Sequence, residues 1–255
     1  MPGPLLDFLI QFKRDKRKAF AMLIDPDKCT PGEGAQIGRA AAEAGVDFFL
    51  VGGSLVSTDG WGELVRQLKE HSGLPAILFP GSVQQINPEA DGILFLSLLS
   101  GRNPELLIGQ HVIAAPLLKR SKLEVLATAY LLVDGGRDTT VHYMSNTRPI
   151  PYDKPDIAAC TALAGEYLGM SLVYMDCGSG AHQAVHPSMV AKVSQEISVP
   201  LIVGGGIRSG DMAGDIWEAG ADIVVVGNAL ERDPSGALLR EIAAVKAEKN
   251  RHKTL

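Results

Sequence analysis

The chain has 255 residues, of which 46% are hydrophobic and only 21% charged, enough apolar material for a large core and incompatible with a disordered chain. A net charge of −5 with 5% aromatic residues excludes the basic, aromatic-studded face of a nucleic-acid binder. No stretch approaches the ~20 apolar residues of a membrane span, and three cysteines, Cys29, Cys160 and Cys177, give neither a CxxC pair nor an even disulfide framework.

Short β-prone runs alternate with helical patterns from end to end, the signature of parallel βα units. A first amphipathic helix is expected over 4–14, its solvated end carrying the basic cluster at 13–18; a phosphate or membrane-surface patch is the other reading of that cluster. The first strand, 19–24, runs into Asp25-Pro26-Asp27-Lys28. A carboxylate at a strand end suits Mg²⁺, which takes one or two carboxylates and completes its shell with water and ligand phosphates; a helix-capping Asp-Pro turn is the competing reading. A helix at 32–44 stops at Gly45, and the second strand, 48–52, ends in Gly-Gly-Ser54, which places a hydroxyl on the neighbouring rim or forms only a turn. The helix at 60–71 stops near Gly73.

After the third strand, 76–79, the segment to Asp91 is too short and too broken by Pro and Gly for a crossover helix. The fourth and fifth strands are expected at 92–96 and 125–133, with a helix at 104–113 between them. A long polar loop, 134–153, follows without helical period, and a helix at 154–168 leads to the sixth strand, 171–176. That strand continues as Tyr174-Met175-Asp176-Cys177-Gly178-Ser179-Gly180-Ala181, where alternation aims Tyr174 and Asp176 at the barrel mouth and Cys177 into the surrounding helices. Asp176 lies between potential anion donors and reads as a base. His182 and His186 are four apart, but the glycines before them and Pro187 argue against HxxxH zinc geometry and for surface or capping roles.

Helices at 187–197, 210–219 and 235–248 separate the last strands, 201–204 and 223–227. Both strands break into glycine where a helix begins, at Gly204-Gly205-Gly206 and at Gly227-Asn228. Two such joints in consecutive βα units can hold a phosphate through backbone N–H groups. The fold expected is therefore α/β: one (β/α)8 TIM-barrel domain over 1–255, with its third helix missing or vestigial. Without a cleavable leader pattern, cytoplasmic residence is expected.

Leu-Ile-Asp-Pro-Asp-Lys at 23–28, Val-Gly-Gly-Ser at 51–54, Tyr-Met-Ser-Asn-Thr at 143–147, Pro-Ile-Pro at 149–151, the run 174–181, Gly-Gly-Gly-Ile-Arg at 204–208 and Gly-Asn-Ala-Leu at 227–230 together resemble the geranylgeranylglyceryl phosphate synthase family, which includes the bacterial heptaprenylglyceryl phosphate synthases. The resemblance covers nearly the whole chain. It implies a modified TIM barrel lacking a regular third helix, and transfer of a long prenyl group from its diphosphate to the 3-hydroxyl of sn-glycerol 1-phosphate with Mg²⁺. It further implies Asp25 and Ser54 as the Mg²⁺ positions. Tyr174, Met175, Asp176, Cys177, Gly178, Ser179 and Gly180, with Gly205, Gly206, Gly227 and Asn228, become the glycerol phosphate site.

Under that reading Asp176 takes the proton of the glycerol hydroxyl while Tyr174 and Ser179 orient the acceptor. The resemblance implies Glu at the base position; Asp176 is about 1 Å shorter, a displacement that can cost ~10²-fold in rate. The tail needs an apolar groove, expected along the side opened by the missing helix and reached by Phe79, Leu96, Leu98 and Leu99. The partners implied are the two small-molecule substrates and further copies of the chain, as a dimer or hexamer, with no more than transient membrane-surface contact. A phosphosugar isomerase or lyase barrel, or a phosphate-binding barrel with weakened chemistry, are the alternatives. The former typically sets acid and base on opposite strands.

Overall fold

Successive strand residues face opposite ways, and the burial pattern shows where each parity goes. In the computed structural model, which describes residues 3–233 and 235–251, the strands are β1 Ala19–Ile24, β2 Phe48–Val51, β3 Ala76–Leu78, β4 Gly92–Leu98, β5 Glu124–Leu132, β6 Leu172–Asp176, β7 Leu201–Gly204 and β8 Ile223–Val226. Among the described residues these eight parallel strands close into a barrel in sequence order, with β8 paired back onto β1. Leu172 and Tyr174 of β6, and Ile223 and Val225 of β8, fill the barrel interior. The intervening Val173, Met175, Val224 and Val226 pack outward under the helices. Burial on both faces is why these strands read as continuous apolar runs.

The helices are α1 Pro4–Arg14, α2 Gly34–Ala44, α3 Gly62–Ser72, α4 Gln110–Ser121, α5 Thr140–Ser145, α6 Pro155–Tyr167, α7 Pro187–Glu196, α8 Gly210–Glu218, α9 Asn228–Glu231 and α10 Ala237–Arg251. The expected stops hold: α2 and α3 end on Gly45 and Gly73, both left-handed. His186 caps α7, its ring accepting the Ser188 N–H. As expected, no full helix joins β3 to β4, where only the 3-10 turn Val83–Gln85 lies. Among the described residues no helix is long and apolar enough to cross a membrane.

Two elements depart from expectation. The helix expected over 104–113 is a π-helical turn, Glu105–Gly109, running into α4, which continues past Pro116 to Ser121. Proline removes one N–H, and here it falls on the exposed side while His111, Ala114 and Leu118 hold the opposite face in the core. The loop 134–153 contains α5, too short to show a helical period. It ends at Asn146 in the left-handed region and is tied down from outside, with Asn103 Nδ2 donating to the Ser145 carbonyl at 3.0 Å.

Helix α1 closes the bottom of the barrel with Leu5, Leu9 and Phe12. Its first turn has no side-chain cap of its own; Glu124 of β5 accepts the N–H groups of Leu5 and Leu6, each at 2.8 Å. A carboxylate there satisfies orphan donors and complements the helix dipole. Glu124→Ala is expected to lower stability by about 2 kcal/mol, read from denaturant melts, with protease sensitivity appearing first in α1.

Candidate active site

Parallel strands put their C-terminal ends on one rim, and register fixes the heights of the residues there. Asp176, the last residue of β6, lies level with Leu132 on one side and Gly204 on the other. Asp176 is 6% exposed. Oδ2 accepts the Tyr130 hydroxyl at 2.6 Å and Oδ1 accepts the Gly178 N–H at 2.7 Å. Burial pushes the Asp176 carboxyl above its usual range, and these two donors only partly offset it. Burial, reinforced by the neighbouring carboxylate, likewise keeps Tyr130 and Tyr174 protonated far above the ordinary tyrosine range.

Tyr174 lies below Asp176 on the same inward face, as alternation predicts. Its ring stacks on Phe79 with centroids 5.1 Å apart, and its hydroxyl lies against Gly204, where an added Cβ would approach to 2.7 Å. Met175 and Cys177 pack outward, so only their backbone groups can serve a ligand, and the Cys177 N–H is already bonded to the Gly204 carbonyl at 3.2 Å. Ser179 is exposed at the rim, next to Gly178 and Gly180.

The two glycine joints sit on adjacent strands at the same rim, because Gly204 of β7 pairs with Val225 of β8. Gly205 has φ +77, and a Cβ there would come within 2.6 Å of Asp176 Oδ1. Position 205 is therefore closed to side chains both by conformation and by the Asp176 carboxylate beside it. Arg208 donates to the Ala181 carbonyl, tying the turn after β7 to the loop after β6. Gly227 caps the short α9, and Asn228 is its first, half-buried residue.

At the end of β1 the two aspartates separate in role. Asp27 grips the loop after β2 through the Ser57 and Thr58 N–H groups and the Ser57 hydroxyl. Burial raises its carboxyl, but these donors outweigh it and hold it at about 2. Asp25 accepts the Asp27 N–H and pairs with Lys28 at 2.9 Å, and Lys28 reaches Glu231 of α9 at 3.0 Å. Among the described residues no group of three or more His, Cys, Asp or Glu is placed to cage a metal. Asp25 and the Ser54 hydroxyl are hard oxygen donors, a set suited to a divalent cation that brings most of its shell with a phosphorylated ligand.

From Ser54 and Phe79 a cavity of about 340 Å³ runs beneath the vacant third-helix position to His111 and Ala114. Its floor is apolar, built from Ile93, Leu96, Leu98 and Leu106, and Tyr130 forms part of its wall. Of the groove residues expected, Phe79, Leu96 and Leu98 line it; Leu99 instead packs outward against Gly165 of α6. Burial lowers the His111 imidazole below its usual range, and its Nε2 meets the Ser97 hydroxyl at 3.2 Å.

Sequence reasoning passed over Tyr130 and Gln85. Tyr130 was legible as an inward position of its strand, but its bond to Asp176 depends on strand pairing. Buried Gln85 accepts the Gly81 N–H and donates to the Gly53 carbonyl, fixing the loop that carries Ser54; no local pattern marks it.

A closed (β/α)8 barrel with a buried carboxylate, paired glycine turns and an apolar groove on one rim is a TIM-barrel enzyme built for a ligand part anionic and part apolar. The PcrB family model matches residues 11–246, and the chain belongs to that family. It is 52% identical to the geranylgeranylglyceryl phosphate synthase of Spirosoma linguale over 96% of this chain and 98% of that one. It is 45% identical to that of Pyrococcus horikoshii over 89% of each. The crystal structure of (S)-3-O-geranylgeranylglyceryl phosphate synthase from Thermoplasma acidophilum in complex with substrate sn-glycerol-1-phosphate matches with a TM-score of 0.91 and 37% identity, over 97% of this chain and 99% of that chain.

The raised carboxyl of Asp176 has a stability consequence. The folded state binds its proton more readily than the unfolded state, whose value is near 3.8. Its contribution is therefore whole below that value and is lost as pH rises through the folded pKa. Asp176→Asn keeps the shape, can still accept the Gly178 N–H and can donate to the Tyr130 oxygen. It should melt higher than the parent at pH 8, with the difference closing toward pH 4; a constant difference across that range would refute the assigned cause.

Proposed function

We propose that the chain is a prenyltransferase that joins the 3-hydroxyl of sn-glycerol 1-phosphate to C1 of a long prenyl diphosphate such as geranylgeranyl diphosphate, releasing diphosphate. The observation that carries this reading is the junction of an apolar groove with a buried carboxylate and two glycine turns on one rim. A phosphosugar enzyme has no use for such a groove. The names of the relatives and the glycerol phosphate bound to the Thermoplasma acidophilum enzyme support the same choice.

In this reading the N–H groups around Gly205, Gly206, Gly227 and Asn228 hold the phosphate, with Ser179 adding a hydroxyl. Tyr174 shapes the pocket beside Gly204, and Asp176 receives the proton of the attacking hydroxyl as the ether bond forms. The tail lies along Phe79, Leu96 and Leu98, where water is excluded. Asp25 and Ser54 would hold Mg²⁺, which when bound neutralises charge on the diphosphate. Lys28 balances Asp25 in its absence and is tethered to α9, so the rim carries its own counter-charge. Association of copies is supported by exposed Ile108, Val112 and Ile113 on the outer side of the π turn and α4; light scattering should give a multiple of the chain mass.

The test is incubation with labelled sn-glycerol 1-phosphate, geranylgeranyl diphosphate and Mg²⁺, with extraction of labelled lipid. The parent should form the ether product, and Asp176→Asn should lose about 10²–10⁴-fold in kcat while still binding glycerol phosphate. No product from the folded parent with any prenyl diphosphate from C20 to C35 would remove the assignment.

A further inference from the structure

Asp176 and the groove do not meet directly. The carboxylate is buried and contributes nothing to the groove wall, whereas Tyr130 does. The Tyr130 hydroxyl directs its single proton to Asp176 Oδ2 at 2.6 Å, which leaves its oxygen lone pairs as acceptors. The other carboxylate oxygen is engaged by the Gly178 N–H and crowded by Gly205.

We propose that Tyr130 is a catalytic relay: its oxygen accepts the proton of the acceptor hydroxyl while its own proton passes to Asp176. This rests on the prenyl-transfer reading above and deepens it. In the step, the acceptor O–H breaks and its proton goes to the Tyr130 oxygen. The Tyr130 O–H breaks and that proton goes to Asp176 Oδ2. The acceptor oxygen forms its bond to C1 of the prenyl group, and the C1–O bond to diphosphate breaks with its electron pair leaving on diphosphate. Tyr130 is neutral before and after, and Asp176 ends as the acid. Burial disfavours a charged phenolate at position 130 and raises the proton affinity of Asp176, so the proton has one favourable resting place. The tyrosine spans the distance that the aspartate side chain does not cover.

The experiment is single-turnover kinetics of the full chain and of Tyr130→Phe with sn-glycerol 1-phosphate, geranylgeranyl diphosphate and Mg²⁺, together with calorimetric titration of glycerol phosphate. A proton inventory in mixtures of light and heavy water accompanies both. The relay predicts at least a hundredfold slower chemistry in Tyr130→Phe, glycerol phosphate affinity within about threefold of the parent, and a bowed inventory in the parent from two protons in flight. A loss of less than tenfold overturns the relay. So does a linear or absent isotope response in the parent, which would leave Tyr130 only holding the carboxylate in place. A melt of Tyr130→Phe checks that the barrel is intact; if it is not, the parent's inventory alone decides. Absence of turnover in the parent defeats the prenyl-transfer reading itself, an outcome distinct from an active parent whose inventory is linear.

Discussion

Removing a carboxylate from water is expensive, and the barrel does so at the end of β6, where Asp176 is nearly enclosed. The cost is limited by two donors, the Tyr130 hydroxyl and the Gly178 N–H. Each depends on a different part of the fold. Tyr130 reaches it because β5 and β6 pair with Tyr130 opposite Tyr174. Gly178 reaches it because the chain turns through a left-handed glycine immediately after the strand. Gly205 must also lack a side chain to leave the carboxylate its place. The parallel register of three strands is thus the condition for a buried carboxylate at this rim.

The same rim is divided by polarity, and the division follows from one omission. Seven of the eight βα units cover the outside of their strands with helix, but the connection from β3 to β4 supplies only a 3-10 turn. Ile93, which faces outward there, cannot stay exposed to water without cost. It joins the inward-facing Leu96 and Leu98 in the floor of a groove walled by the π turn, α4 and Phe79. A ligand with a charged head and a long apolar tail fits this geometry because each part meets the surface that its hydration favours. The charged rim and the groove converge at Tyr130.

Most of this was legible in the sequence where information is local. Strand parity placed Tyr174 and Asp176 inward and Cys177 outward, and the run Pro80-Gly81 to Pro88 announced the missing helix. Gly45, Gly73 and His186 marked helix ends through their own backbone and side-chain chemistry. What was not legible depends on partners distant in sequence. Six residues cannot display a helical period, so α5 emerges only through its contact with Asn103. The helix expected to end at 113 runs on through Pro116 to Ser121 because His111, Ala114 and Leu118 hold its inner face in the core. Leu99, expected in the groove, packs against α6 because it falls on the outward parity of Ile93 and Phe95, opposite to the inward Leu96 and Leu98.

The two ends of the site meet the problem of charge differently, and burial decides which way. Asp25 is partly exposed, so a pair with Lys28 costs little to form and little to break. Under the proposed Mg²⁺ reading, a cation arriving with its anionic ligand would take over from the ammonium without leaving an uncompensated charge. Among the described residues no cation pairs with Asp176; its hydrogen-bond partners are neutral donors, a phenol and an amide. A cation there would depress its proton affinity and spoil it as an acceptor, whereas neutral donors orient the carboxylate while burial keeps its proton affinity high. With the shorter aspartate set back from the groove, the phenol is the group that lies between it and any hydroxyl entering from that side. Its hydrogen bond limits the cost of burial and, in the proposed relay, leads the proton inward.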